Sequence, residues 1–322
     1  MRAAALAALT LSLAAPVVAR DISLGIPIDC DLGRDCFIQQ YVDHDRSRAA
    51  MDFRCSTLSY DTHQGTDFAL RSLEQMRRGV NVLAAAPGVV AGTRDGMEDR
   101  LYRTGDSDRL NGRDCGNGVR IEHDGGWSTQ YCHLKRGSVT VNEGDRVDTT
   151  TVLGQVGLSG RTQFPHVHMT LRKDGDVIDP FDPDGQIECG APSTETLWET
   201  PPPYRPGGVL DVGFADAVPK FNAVKAGDAA ANQMSTDAPA IVVFGYAFGG
   251  RIGDRMQLRI DGPDGVLIEQ AVELERNQAQ YFRAVGKRRT TDAWPAGRYT
   301  GTVVLRRDGR EFDRAQGTIV VQ

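Results

Sequence analysis

The sequence predicts a mainly β protein in two parts, an antiparallel β-sheet unit followed by a C-terminal β-sandwich. Two observations predict this. Short apolar runs with glycine turns between them recur from Tyr60 to Pro183 and again after residue 208. Between the two stretches, Pro201-Pro202-Pro203 and Pro206 exclude both helix and central strand and mark a stiff connector over residues 196–208.

Residues 1–19 join one early arginine to a short apolar run ending in small residues. This is the pattern of a secretory signal cleaved after Ala19, and the run is shorter than the ~20 residues that a spanning helix needs. No later segment is long and apolar enough to span a membrane. What remains is too long for one small core and suits two domains. Residues 20–58 read as an irregular, cysteine-bearing wrap. Residues 59–195 form the first domain, with strands over 66–70, 80–85, 88–92, 118–123 and 127–134 and a hairpin turn at Asp124-Gly125-Gly126. Residues 93–117 are polar and glycine-rich and predict an exposed loop, either overhanging the cleft and restricting substrates or forming a solvated insertion tied down by Cys115. In residues 209–322, strands over 241–248, 255–260, 266–272, 299–305 and 318–321 suit a sandwich of immunoglobulin-like size. That part holds no constellation able to do chemistry.

The formal net charge is −6 and the charges are mixed rather than blocked, which argues against a nucleic-acid partner. Six cysteines in an exported chain predict three disulfides. Spacing does not choose among the pairings. The working assignment is Cys30 with Cys36, Cys115 with Cys132, and Cys55 with Cys189. No C-x-x-C spacing supports cysteine as a metal ligand.

The chemistry concentrates in histidines. In Pro165-His166-Val167-His168 the two imidazoles are two residues apart, so in a strand they project from one face. Met169-Thr170-Leu171-Arg172 continues the alternation, and Asp174-Gly175 supplies a turn. Upstream, His63-Gln64-Gly65-Thr66-Asp67 adds a histidine and a carboxylate, and Tyr131-Cys132-His133-Leu134 adds a further histidine. A catalytic zinc ion usually takes three protein ligands and leaves a position for water. His63, Asp67 and His168 would supply two nitrogens and one oxygen, leaving His133 and His166 for proton transfer or oxyanion stabilisation. His44 and His123 lie outside these motifs and read as ordinary surface or core residues.

These residues resemble the lysostaphin/LytM-type zinc metalloendopeptidases, whose motifs are H-x-x-x-D, a Tyr-x-His-Leu strand and H-x-H after a glycine turn. All three occur here in that order, and the resemblance spans roughly residues 60–183. It implies a LytM-like peptidase domain of antiparallel sheet in which His63, Asp67 and His168 bind Zn2+ and His133 and His166 are catalytic. It further implies hydrolysis of peptide cross-links in peptidoglycan by a periplasmic or secreted enzyme, with the peptide stems as substrate. Two departures are the long 93–117 segment and Met169-Thr170-Leu171, where the family often carries an aromatic residue and a glutamate. The other role within such a family is a non-catalytic module that binds and regulates a wall hydrolase. Modules of that kind lose ligands, and none is missing here. A glycan or an envelope protein partner is the role open to the C-terminal domain.

Overall fold

The computed structural model describes residues 22–185 and 195–322. The expected signal at residues 1–19 and the Cys189 half of the third disulfide lie outside the described residues. The other two pairings are present: Cys30–Cys36 and Cys115–Cys132 are disulfides.

The N-terminal part contains ten strands: β1 Cys36–Gln40, β2 Thr66–Leu70, β3 Asn81–Leu83, β4 Gly88–Arg94, β5 Asn117–Glu122, β6 Trp127–Leu134, β7 Arg146–Val147, β8 Val152–Gln155, β9 His166–Lys173 and β10 Asp176–Ile178. Eight form one antiparallel sheet in the order β1-β2-β9-β6-β5-β4-β7, with β10 paired to β9, while β3 and β8 form a separate ribbon. Register follows residue alternation. Phe68 faces Val167, and Thr66, Met169 and Tyr131 share a row, which puts Phe68, Val167, Met169 and Tyr131 into a dry core with Ile121, Val119 and Trp198. Asp67, His168 and Cys132 make the next row and therefore point from the opposite face.

The C-terminal part contributes β11 Gly208–Ala215, β12 Ala240–Gly250, β13 Arg255–Gly262, β14 Gly265–Glu273, β15 Gln278–Arg288, β16 Gly297–Arg307 and β17 Arg310–Val321. They form two antiparallel sheets, β11-β12-β15 and β14-β13-β16-β17. Phe214, Ile241, Val243 and Tyr281 from the first share one core with Met256, Leu258, Val303 and Ile319 from the second.

The two parts are packed against each other. Phe37 pairs with Ala69 in register, two residues along β2 from Asp67, so both lie on the face that carries Asp67. Leu210, Phe244, Tyr246 and Phe248 bury that end of the face, with the Phe37 and Phe248 rings 4.4 Å apart. Gln39 Nε2 donates to the Ala279 carbonyl at 2.9 Å, and Tyr204 in the proline-rich connector donates to Asp52 at 2.9 Å. The C-terminal sheets thus cover one end of the site-bearing face.

Several expectations need correction. The 20–58 segment is not wholly irregular: β1 forms the sheet edge, because Cys36, Phe37 and Ile38 are buried between Leu70 to Phe68 on one side and the C-terminal sheets on the other. Residues 93–117 are largely exposed, as expected, and they are tied down at several points rather than hanging free. Helix α1 (Leu73–Arg78) precedes them, β4 extends to Arg94, and helix α2 (Ser107–Leu110) lies within the segment. Asp99 accepts from the backbone N–H groups of Leu158 and Arg136, and Asn117 holds Met97 through both its amide atoms. Strands β7, β8, β10, β11 and β15 and the short helices α1, α2 and α3 (Phe221–Ala226) do not follow from the sequence patterns. The helices are one to two turns long, below the window in which a 3.6-residue period registers. Among the described residues no helix is long and apolar enough to cross a membrane.

Candidate metal centre

The site is assembled by three strands, β2, β6 and β9, and one turn. β2 presents Asp67, β9 presents His166 and His168 from one face, and the turn entering β2 presents His63. His63 Nε2 lies 3.2 Å from Asp67 Oδ1 and 3.1 Å from His168 Nδ1, and His168 Nδ1 lies 2.8 Å from the same oxygen. One donor atom from each of the three residues falls within 4.8 Å of the others. Gly65 makes this approach possible: a Cβ there would stand 2.7 Å from His168 Cε1 and Nε2 and 2.6 Å from the Met169 carbonyl.

His133 reaches the site by breaking the strand pattern. Tyr131 is in the core and Cys132 faces the site row, so strict alternation would send His133 back into the core. Instead β5 and β6 shift register between Asn117 and Val119, and His133 takes φ +65°, a left-handed conformation uncommon for residues other than glycine. The Cys115–Cys132 disulfide and the His133 N–H to the Cys115 carbonyl, at 2.8 Å, hold this bulge. The His133 and His166 ring centres are 4.7 Å apart.

The backbone sets the tautomers. His63 Nδ1 donates to the Tyr41 carbonyl at 2.6 Å, His133 Nδ1 to the Ser159 carbonyl at 2.8 Å, and His166 Nδ1 to the Phe164 carbonyl at 3.0 Å, with Thr162 Oγ1 also at 3.0 Å. A carbonyl only accepts, so each Nδ1 carries hydrogen and each neutral ring keeps its lone pair on Nε2, which in His63 and His166 lies 3.2 and 3.4 Å from Asp67 Oδ1. His168 is reversed: Nε2 meets Thr170 Oγ1 at 3.0 Å and Nδ1 faces the centre. These supporting groups, Tyr41, Ser159, Phe164, Thr162 and Thr170, were not identified from sequence. Backbone carbonyls have no residue signature, and although Ser159, Thr162 and Phe164 lie in the glycine-turn stretch before His166 and Thr170 in the strand after it, nothing in those residue types marks them as partners of the imidazoles.

Burial opposes charge on Asp67, but His63 and His166 outweigh it and hold the carboxyl well below the usual carboxylate range. Burial likewise opposes the cationic form of His63, and Asp67 reverses that effect, raising its pKa. Burial pushes His133 well below the ordinary histidine value, helped by His166 and His168, and burial also lowers His166. Two imidazole nitrogens and a carboxylate oxygen converging without cysteine suit a divalent ion with nitrogen and oxygen preference. The centre is deep: His63, Asp67, His133 and His166 are each 7% exposed or less. The other two histidines are satisfied elsewhere, His44 by Asp179 at 2.8 Å and His123 by the Pro87 carbonyl and Thr129.

A β-sheet face that brings two imidazoles and a carboxylate to one point, with two more imidazoles beside them, defines a candidate metallohydrolase centre. Residues 61–180 match the model of peptidase family M23, and this segment is an M23 metallopeptidase domain of the lysostaphin/LytM type. A protein described as an uncharacterized metalloprotease from Buchnera aphidicola subsp. Baizongia pistaciae (strain Bp) is 27% identical over 128 residues. That match covers 40% of this chain, which spans only 28% of the relative's length. Among solved structures, a point mutant of the catalytic domain of the prophage-encoded M23 protein EnpA from Enterococcus faecalis is 25% identical, with 37% of this chain and 77% of that chain covered and a TM-score of 0.28. The M23 metalloprotease pseudoalterin is 21% identical over 51% of this chain and 78% of that chain, with a TM-score of 0.32.

Proposed function

We propose that this chain is an exported zinc metalloendopeptidase that hydrolyses peptide cross-links of bacterial peptidoglycan. The observation that carries the proposal is the convergence of His63 Nε2, Asp67 Oδ1 and His168 Nδ1 beside two imidazoles held through Nδ1, His133 and His166, the latter with Nε2 3.4 Å from Asp67 Oδ1. In this reading His63, Asp67 and His168 hold Zn2+, and His133 and His166 are catalytic. When bound, zinc supplies a water acidified toward a pKa of ~7 and polarisation of the scissile carbonyl. Burial lowers the pKa of both His133 and His166 and so favours the neutral ring, whose Nε2 accepts a proton from the attacking water. The N–H so formed donates to the oxyanion and then protonates the departing amine. The carbonyls of Ser159 and Phe164 fix both rings while the proton moves.

The same reading divides the chain into a signal (1–19), an entry segment (20–58), the peptidase domain (59–195), the connector (196–208) and a C-terminal domain (209–322). Three strands packed on four, all antiparallel, support an immunoglobulin-like sandwich for the last. Two disulfides support a periplasmic or secreted location. Peptidoglycan is the substrate tested. Mature protein with one zinc per chain is expected to release stem-peptide fragments seen by mass spectrometry, and His166→Ala is expected to release none. Zinc-loaded wild type that releases nothing would overturn the proposal. Burial of His63, Asp67, His133 and His166 favours a second reading, a non-catalytic module that regulates another wall hydrolase, and that same result would select it.

A further inference from the structure

Beyond the metal centre, the site-bearing face runs on along β9, β6 and β5. Two residues past His168, Thr170 pairs with Gln130, Gln130 with Arg120, and Arg120 with Gly92 of β4. Two residues further, Arg172 leaves the same face. An open groove of about 220 Å³ lies over this end, lined in part by Arg94, Arg120, Gln130 and Cys115. It adjoins the metal centre, because Cys115 is bonded to Cys132, which pairs with His168.

Two arginines, Arg94 and Arg120, line the groove, and Arg172 reaches its edge through Gln130. Arg120 is paired to Glu122, but the Arg172 guanidinium makes one long hydrogen bond, Nη1 to Gln130 Oε1 at 3.4 Å. Gln130 is itself anchored by Nε2 on Cys115 Sγ. Burial and the nearby Arg120 lower the Arg172 pKa, and no carboxylate stands among the groups acting on it. A half-buried guanidinium facing a second arginine, with most of its N–H groups unused, lacks its usual anion.

We propose that Arg172, flanked by Arg120 and seated on Gln130, binds a free carboxylate of the peptide lying in the cleft. This rests on the peptide-hydrolase reading and adds to it the substrate class, an anionic peptide. Arg172 is four residues from His168 along β9, ~13 Å at strand rise, so the carboxylate recognised belongs roughly two to four residues from the scissile bond.

The test uses two synthetic stem peptides that differ only in a free carboxylate or a carboxamide at that distance. Binding to zinc-loaded His166→Ala protein is read by fluorescence anisotropy, and cleavage by the wild type is read separately. The carboxylate peptide is expected to bind about tenfold tighter or more. Adding Arg172→Ala is expected to bring the two within about threefold of each other, and Arg172→Lys to keep part of the preference. Equal binding of both peptides, or a preference that survives Arg172→Ala in a protein with an unchanged melting temperature, overturns the proposal. Carboxylate-selective binding without cleavage sinks the hydrolase reading and leaves the groove standing. Cleavage without selectivity does the reverse, and neither binding nor cleavage overturns both.

Discussion

His63 Nε2 and His168 Nδ1 lie 3.1 Å apart although 105 residues separate them in the chain. Both neutral nitrogens offer lone pairs, so their approach is unfavourable unless a proton or a cation lies between them. Asp67 Oδ1, 3.2 Å from one and 2.8 Å from the other, supplies the negative charge that draws it there.

Removing any one of these donors leaves the other two facing each other without the third. Asp67→Ala and His168→Ala are each expected to lose bound zinc, from about one per chain to background, by elemental analysis. Added zinc at ~100 times its Kd is expected to stabilise the wild type by about 2.7 kcal/mol and neither variant. Equal zinc-induced rises in melting temperature for all three proteins would remove these residues as ligands.

Gly65→Ala tests the closeness of the turn to β9. With 2.6 Å to the Met169 carbonyl and 2.7 Å to the His168 ring, a methyl group cannot be accepted without displacing backbone or the ring. The expected cost is about 1–3 kcal/mol in urea unfolding, with weaker metal binding alongside. A variant of unchanged stability and affinity would mean that His168 does not need this geometry.

The Cys115–Cys132 bond closes a loop with a sequence separation of 17 and pins the bulge that turns His133 inward. Replacing both cysteines with serine is expected to cost about 3 kcal/mol and to lower peptide hydrolysis more than zinc content. Equal losses of both would place the bond's role in the metal ligands rather than in His133.

His44 offers a pH test away from the centre. Burial opposes its cation, but Asp179, 2.8 Å away, and Asp182 outweigh burial and raise its folded pKa above the ordinary value near 6.5. The stabilisation is therefore complete below about pH 6.5 and is lost as pH rises through the higher folded value. The stability gap between wild type and His44→Gln, measured by denaturant unfolding from pH 5 to 9, is expected to be largest at the acid end. A gap that widens with pH contradicts the ion pair.

Much of the site was legible because strand periodicity is strict. Once residues 166–173 are a strand, His166 and His168 must share a face, and the apolar alternation from Met169 supports that strand. His133 was legible as a motif member but not as a neighbour, because its place depends on a bulge and a positive φ that no local pattern signals. The strand β1 was missed for a related reason. Its burial comes from β2 and from Phe248 in the distant C-terminal sheet, not from its own alternation.

By itself, then, the amino-acid order determined the β character and the five ionisable residues of the centre, since each follows from periodicity, turn chemistry or the resemblance of short motifs. Tertiary structure alone decided which imidazole nitrogen faces inward, how the 93–117 segment is tied down, and that the C-terminal sheets sit on the site-bearing face. Those features arise from backbone carbonyls and packing between segments far apart in the chain, which carry no signature in the residues that use them.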